Sequence, residues 1–327
     1  MPSAADAQPL PDVTAWLVAQ SLVAAGHHPR YQNAIKKEVL GLYEMLAHES
    51  SNVALLAKFI HHLPYRWQLK VIGLIADSER VRHFVLRKKL IETQVRKFLT
   101  ESPVKQVVVL GAGLDVLSLQ LAKDFSQVNF IEIDRENSQR FKTGVFHSHH
   151  VQLPSNIEYL AGNLSEGLYP SIKRSSCFKE NVMTLWLIEG VLMYIPQDAC
   201  QSLFKEIREL SLSESKVIFT TTPEAYQGSI FARNFQKIYL RKKKSDLAWV
   251  ISAEDVPHFM EQLNYSMVKQ LSYAALHSDY LSPDSPLAKK SGENIHIAKS
   301  HGTKIRKTPD LQSHALERSV REVMADA

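Results

Sequence analysis

The sequence predicts an α/β fold, a seven-stranded and mostly parallel sheet preceded by an all-helical N-terminal segment, and three observations carry that reading. Short Val- and Ile-rich runs alternate with amphipathic helical stretches between residues 106 and 221, the pattern of a parallel sheet covered on both faces. The first of these runs feeds directly into Gly111-Ala112-Gly113 and then a helical stretch, a strand–turn–helix unit. The first hundred residues, in contrast, show the helical period and few strand signals. At 327 residues the chain is long enough for one large α/β domain with additions.

The elements follow in chain order. Val13, Leu17, Leu22 and Val23 form one apolar helical face, Val39, Leu42, Tyr43 and Leu46 a second, and Leu55, Phe59, Ile60 and Leu63 a third. Residues 80–99 read as a longer helix with Val81, Phe84, Val85, Ile91, Val95 and Phe98 inward. Ser102-Pro103 marks the change of pattern. Strands are expected at 106–110, 128–133 (ending in Asp134), 157–160, 182–188 and 217–221, with helices at 115–123 and 199–210 between them. A helical insertion at about 225–262 contains amphipathic stretches at 229–244 and 253–263. Residues 266–273 and 294–298 read as a closing hairpin at the sheet edge. The expected organisation is a helical cap over 1–100, a sheet domain over 101–300 and a basic tail over 301–327 with a helix near 311–323.

Composition narrows the class. Hydrophobic residues make up 45% and charged residues 22%, the balance of an ordinary globular protein rather than a disordered one. Cys177 and Cys200 are too few for a disulfide framework, so a reducing compartment is expected. Residues 1–12 carry acids and prolines instead of a basic flank and apolar core, unlike a secretory leader. The longest apolar run, 182–195, is too short to span a bilayer and contains Glu189. A cytoplasmic location without a membrane partner is therefore expected. The net charge of +5 gathers at Arg87-Lys88-Lys89, at Arg241-Lys242-Lys243-Lys244 and in 299–307. Solvated helix faces and a tail account for these clusters better than nucleic-acid binding, because no RNA-binding signature with interleaved aromatics accompanies them. The paired histidines, His27-His28 and His61-His62, do not share a helix face, and no metal site is expected.

Chemistry concentrates at three places. The Gly111-Ala112-Gly113-Leu114-Asp115 turn brings backbone close to a ligand at a strand's carboxyl end, although glycines also serve tight turns for steric reasons alone. A dinucleotide site would carry a third glycine where Val116 stands, which sets a dehydrogenase well behind other readings. Asp134 ends the second strand about twenty residues after the glycines, where an acid accepts from both hydroxyls of a ribose. The competing reading is a cap on the next helix. Glu189 interrupts Leu185-Trp186-Leu187-Ile188 and Val191-Leu192-Met193-Tyr194. A buried carboxylate there needs a partner or a polar cavity, and the end of a central strand is where ligands bind. A structural ion pair with a helix arginine is the alternative.

These motifs resemble the leucine carboxyl methyltransferase family, including its bacterial O-methyltransferase branch, over residues 87–298. The most specific segments are Val107-Val108-Val109-Leu110-Gly111-Ala112-Gly113-Leu114-Asp115 and Ile188-Glu189-Gly190-Val191-Leu192-Met193-Tyr194-Ile195-Pro196. They are similar to the family's "LGAGLD" and "EGVLMYLP" segments, and Arg87 with Glu92 matches its arginine–acid spacing. The resemblance implies a Rossmann-like class I methyltransferase with S-adenosyl-L-methionine as cofactor. It implies that Arg87 pairs with the cofactor's methionine carboxylate, a role for which Lys88 competes. It places the backbone of Gly111, Ala112, Gly113 and Asp115 under the methionine part and Asp134 on the ribose hydroxyls. Asn163-Leu164 stands where the family has Asp-Leu beside the adenine, and an amide oxygen can still accept from an amino group. Glu189 is implied near the cofactor's amino group or the transfer centre. Val116-Leu117 departs from the family's Thr-Arg, and Leu263-Asn264-Tyr265 from its Gly-Trp.

The expected function is methyl transfer to a carboxylate or hydroxyl of a small-molecule or peptide acceptor. A carboxylate acceptor needs no base, whereas a hydroxyl acceptor would call on Glu189 or Tyr194. Two alternatives stay open: an RNA- or tRNA-modifying methyltransferase, and a non-catalytic binding module on the same fold. Acceptor identity and oligomeric state are not legible in the residues.

Overall fold

In a computed structural model, the described residues are 12–29, 34–53, 55–76, 78–180, 182–212, 214–223, 247–272 and 293–301. Five helices come first: α1 (Val13–Gly26), α2 (Lys37–Glu49), α3 (Leu55–His61), α4 (Tyr65–Ala76) and α5 (Ser78–Glu101). α2 buries Leu40, Tyr43, Leu46 and Ala47, a single stripe at helical spacing. α1 is buried on every side from Gln20 to Gly26, because it lies between α2, α4 and α5. Phe59 departs from the expected face: α3 turns Ile60 inward and leaves Phe59 60% exposed.

α5 connects the two parts of the molecule. Its Val85 belongs to the apolar cluster of the cap, with Trp16, Leu22 and Leu46. Further along, Leu90, Ile91, Val95 and Phe98 pack instead on the sheet, against Val107, Val109 and Leu185. Arg87 and Lys88 lie at the changeover.

The sheet contains β1 (Gln106–Leu110), β2 (Asn129–Asp134), β3 (Ile157–Ala161), β4 (Thr184–Ile188), β5 (Lys216–Thr221), β6 (Tyr265–Leu271) and β7 (Asn294–Ser300). Helices α6 (Leu117–Asp124), α7 (Glu136–Ser148), α8 (Tyr169–Ile172), α9 (Gln197–Glu209) and α10 (Val256–Gln262) lie between them. The strand order is β3-β2-β1-β4-β5-β7-β6, with β1 to β5 paired in parallel and β7 antiparallel to both β5 and β6. β1 alternates its side chains between two cores, as the period of a strand requires. Val108 and Leu110 face α9 through Leu203 and Phe204, while Val107 and Val109 face α5 and α6.

The closing antiparallel pair is present, with β6 at the edge and β7 inside it against β5. The helices expected at 229–244 and 311–323 lie outside the described residues. No helix among the described residues is long and apolar enough to cross a membrane.

Candidate functional site

Strand order reverses between β1 and β4, and the crevice outside the carboxyl ends of such strands is where open α/β sheets bind ligands. β1 ends just before Gly111, β2 at Asp134, β3 two residues before Asn163 and β4 just before Glu189. Four residues singled out from the sequence thus share one sheet edge.

Gly111 and Gly113 adopt φ of +69° and +53°, a region open to glycine at no steric cost. The turn is tied to its neighbour strand: Gly113 N–H donates to Asp134 Oδ2 at 2.6 Å, and Arg135 N–H to Asp134 Oδ1 at 2.6 Å. Burial raises the Asp134 pKa in spite of these two donors. Each of its oxygens keeps lone pairs for further donors. Val116, in the place of a third glycine, is fully buried and fills the core on the cap side.

From α5, Arg87 Nε donates to Glu189 Oε1 at 2.8 Å, and Arg87 Nη1 pairs with the carboxylate of Glu293. Lys88 Nζ bridges Asp115 Oδ2 at 2.8 Å and Glu189 Oε1 at 2.9 Å. Burial opposes the Lys88 charge, but Asp115 and Glu189 outweigh it and raise the pKa. Asp115 also accepts from the Tyr43 hydroxyl at 2.6 Å and from Leu117 N–H at 3.2 Å. Although burial disfavours its charge, Lys88 and Tyr43 hold the Asp115 carboxyl down at about 2. The Glu189 side chain is 5% exposed. Its Oε1 accepts from two cations, while its Oε2 is buried and accepts no hydrogen bond. Gly190, the next residue, has φ +66° and donates to Thr220 Oγ1 at 2.8 Å.

The remaining expected residues sit further out. Asn163 is exposed and caps the short turn Leu164–Glu166, accepting from Ser165 N–H at 3.2 Å and donating to Glu166 at 2.7 Å. Leu164 is buried in the core. Tyr194 ends the turn Leu192–Tyr194 and is 39% exposed. Glu92 accepts from Arg96 and Gln120 rather than from Arg87.

Three participants were not assigned a role from the sequence. The sequence places Tyr43 only on an apolar helical face, and Lys88 only as a rival to Arg87. Glu293 was not singled out at all, yet it meets Arg87, lies 3.6 Å from His83 Nε2 and is buried. Its signal was topological: an antiparallel strand starts at the edge where parallel strands end, so an acid just before Asn294 enters the same crevice.

The sheet order, the helices on both faces and the glycine turn define a class I methyltransferase fold. Solved structures of that shape include a Thermobifida fusca YX chain described as a "putative methyltransferase" (TM-score 0.55, 12% identity, 91% of this chain and 98% of that one). A DUF574 family protein from Streptomyces avermitilis MA-4680 matches at TM-score 0.54 and 9% identity, over 89% and 98% of the two chains. Residues 66–208 match the model of the leucine carboxyl methyltransferase family.

Among curated relatives, a Mycobacteroides abscessus protein named "Putative S-adenosyl-L-methionine-dependent methyltransferase" is 30% identical over 162 residues, 50% of each chain. One of the same name from Mycobacterium tuberculosis is 32% identical over 117 residues, 36% of this chain and 37% of its own. The chain thus spans about half or less of the length of the curated relatives it matches.

Proposed function

We propose that the chain is a cytoplasmic S-adenosyl-L-methionine-dependent O-methyltransferase acting on a carboxylate or hydroxyl of a small-molecule or peptide acceptor. The observation that carries this reading is Glu189. It is buried at the carboxyl end of β4, with one oxygen held by Arg87 and Lys88 and the other accepting nothing. A buried acceptor atom without a donor is costly, and the ammonium of an amino-acid ligand supplies that donor. Arg87 uses two of its five N–H groups on Glu189 and Glu293, leaving others for the ligand's carboxylate. In this cluster Arg87 and Lys88 face Asp115, Glu189 and Glu293, two cations against three carboxylates. That balance favours a ligand with net positive charge, as a sulfonium amino acid has.

When bound, the cofactor supplies an electrophilic methyl carbon on a sulfonium centre. The chain's own residues bind and orient. Asp134 accepts from the ribose hydroxyls with the lone pairs that Gly113 and Arg135 leave. Gly111, Ala112 and Gly113 present backbone to the methionine part, and Asn163 and Leu164 flank the adenine. Asp115 holds the turn in place through Tyr43 and Lys88. Alignment in a site shielded by the cap does most of the catalytic work, since an in-line displacement depends chiefly on the placement of its reactants. A carboxylate acceptor arrives ionised and needs no base, whereas a hydroxyl acceptor needs one at the transfer centre, a role that falls to Tyr194 as its phenolate once Glu189 is occupied by the ligand's ammonium.

Calorimetric titration with S-adenosylmethionine, S-adenosylhomocysteine and NADH tests the reading. Binding of both adenosyl ligands and not NADH, weakened at least about tenfold in Asp134→Ala by loss of charged hydrogen bonds, is expected. Absence of adenosyl binding by folded protein overturns it.

A further inference from the structure

We infer that the junction of α3 and α4 is a docking surface for an anionic phospholipid bilayer. This goes beyond the proposed methyl transfer, does not rest on it, and departs from the expectation of no membrane partner. The sequence between Glu49 and Asp77 contains no acidic residue but holds Lys58, Arg66 and Lys70 along with His61 and His62. On the structure the same stretch turns its aromatic side chains outward. Phe59 is 60% exposed, Trp67 49% and Tyr65 40%, and these are three of the seven large hydrophobic side chains exposed among the described residues. His62, Pro64, Arg66, Lys58 and Lys70 are exposed around them.

Trp and Tyr favour the boundary between headgroups and acyl chains, because each has an apolar body and a polar tip. Cations beside them add attraction to anionic headgroups, the combination that holds interfacial helices on a bilayer. Two contacts prepare this surface. Lys70 Nζ lies 4.8 Å from the centroid of the Trp67 ring, and Tyr65 stacks on His27 at 3.8 Å between ring centroids. Glu44 lies near Tyr65, paired with His27, and is outnumbered by Lys58, Arg66 and Lys70.

The charge argues against two other occupants. A second copy of the chain across a two-fold axis would set Lys58, Arg66 and Lys70 against themselves. RNA would be met by a basic groove lined with stacking rings, whereas the turn between these two helices adds the half-buried Leu63 and the exposed Pro64, neither of them a stacking ring. The patch belongs to the cap, whose α5 carries Arg87 and whose α1 places Ala15 beside Gly113.

The test uses the full chain with vesicles of phosphatidylcholine alone or mixed with phosphatidylglycerol, some bearing brominated acyl chains. Trp16, Trp186 and Trp249 are buried, so acyl-chain quenching of fluorescence reports on Trp67. Expected are sedimentation with the anionic vesicles only, quenching by the brominated chains, and loss of that quenching in Trp67→Phe with binding retained. Arg66→Glu and Phe59→Ser should each weaken vesicle binding at least tenfold while the thermal midpoint and cofactor titration stay unchanged. Replacing Lys304, Arg306 and Lys307 by Gln in the tail should leave binding intact. The inference is overturned by failure to bind anionic vesicles, by binding without quenching, or by binding that disappears with the tail charges. It is equally overturned if Phe59→Ser abolishes self-association or RNA binding and vesicles are never bound.

Discussion

At Gly111, two independent constraints act on one backbone position. Its φ is +69°, and a Cβ there would lie 2.4 Å from Cγ2 of Val191, a residue of the second signature segment. The left-handed conformation costs an ordinary residue about 1–2 kcal/mol, and forcing a methyl into packed surroundings a further ~1–3 kcal/mol. Gly111→Ala should therefore lose about 3 kcal/mol in urea unfolding. In a double-mutant cycle with Val191→Ala the two changes should be non-additive by about 1 kcal/mol or more, the clash being shared. Additive losses would mean that backbone conformation alone excludes alanine. Both residues were visible in the sequence as parts of motifs, but their contact was not, because it joins segments eighty residues apart that meet only when β1 and β4 pair.

At the scale of elements, the most consequential join is between β2 and α7. Lys142 and Glu132 are both fully buried, with Nζ to Oε2 at 2.6 Å. Burial raises the Glu132 pKa even though Lys142 opposes it. Removing one partner of a buried pair typically costs about 3–5 kcal/mol. Lys142→Met should fall in that range at pH 8, and the double variant with Glu132→Gln should recover most of it. A carboxyl whose folded pKa lies above its unfolded one gains stability as it protonates. The single variant should accordingly regain stability as the pH falls toward 5, and a loss independent of pH would contradict this. The pair is not legible in the sequence, since nothing local to Lys142 marks it as the partner of Glu132 ten residues before it. Strand positions were legible because Val-rich runs such as 106–110 are buried on both faces. Phe59 was misplaced because helical spacing defines a stripe only to within a residue, and Ile60 took the inward position.

For the whole molecule, Asp115 is one of the points at which the N-terminal helices are fastened to the sheet. It belongs to the glycine turn, yet its oxygens are held by Tyr43 of α2 and Lys88 of α5. Its carboxyl is depressed from about 3.8 to about 2, a shift equivalent to roughly 2 kcal/mol. That stabilisation is present above the unfolded value near 4 and is lost as pH falls through 2. Asp115→Asn should lose roughly 2 kcal/mol at pH 7, flatten the acid limb of the stability curve and speed amide exchange in α2 more than in β1. Equal exchange changes in both would mean that the cap and sheet open as one unit. The sequence located the acid and suggested the cap as a separate helical segment. The fastening itself required α2 and α5 to be brought to the same turn, and no local pattern encodes that meeting.

The central claim is that Glu189 and Arg87 grip the amino-acid end of the ligand, and comparing two ligands tests it most directly. S-adenosylhomocysteine carries that end and methylthioadenosine lacks it, while both share the adenosine that Asp134 is proposed to hold. The expected result is that the first binds the wild type at least about a hundredfold more tightly, as two charged contacts of ~1.5 kcal/mol each would give. Glu189→Gln should narrow that gap and leave methylthioadenosine unaffected. Equal affinities for the two ligands in the wild type would contradict the account.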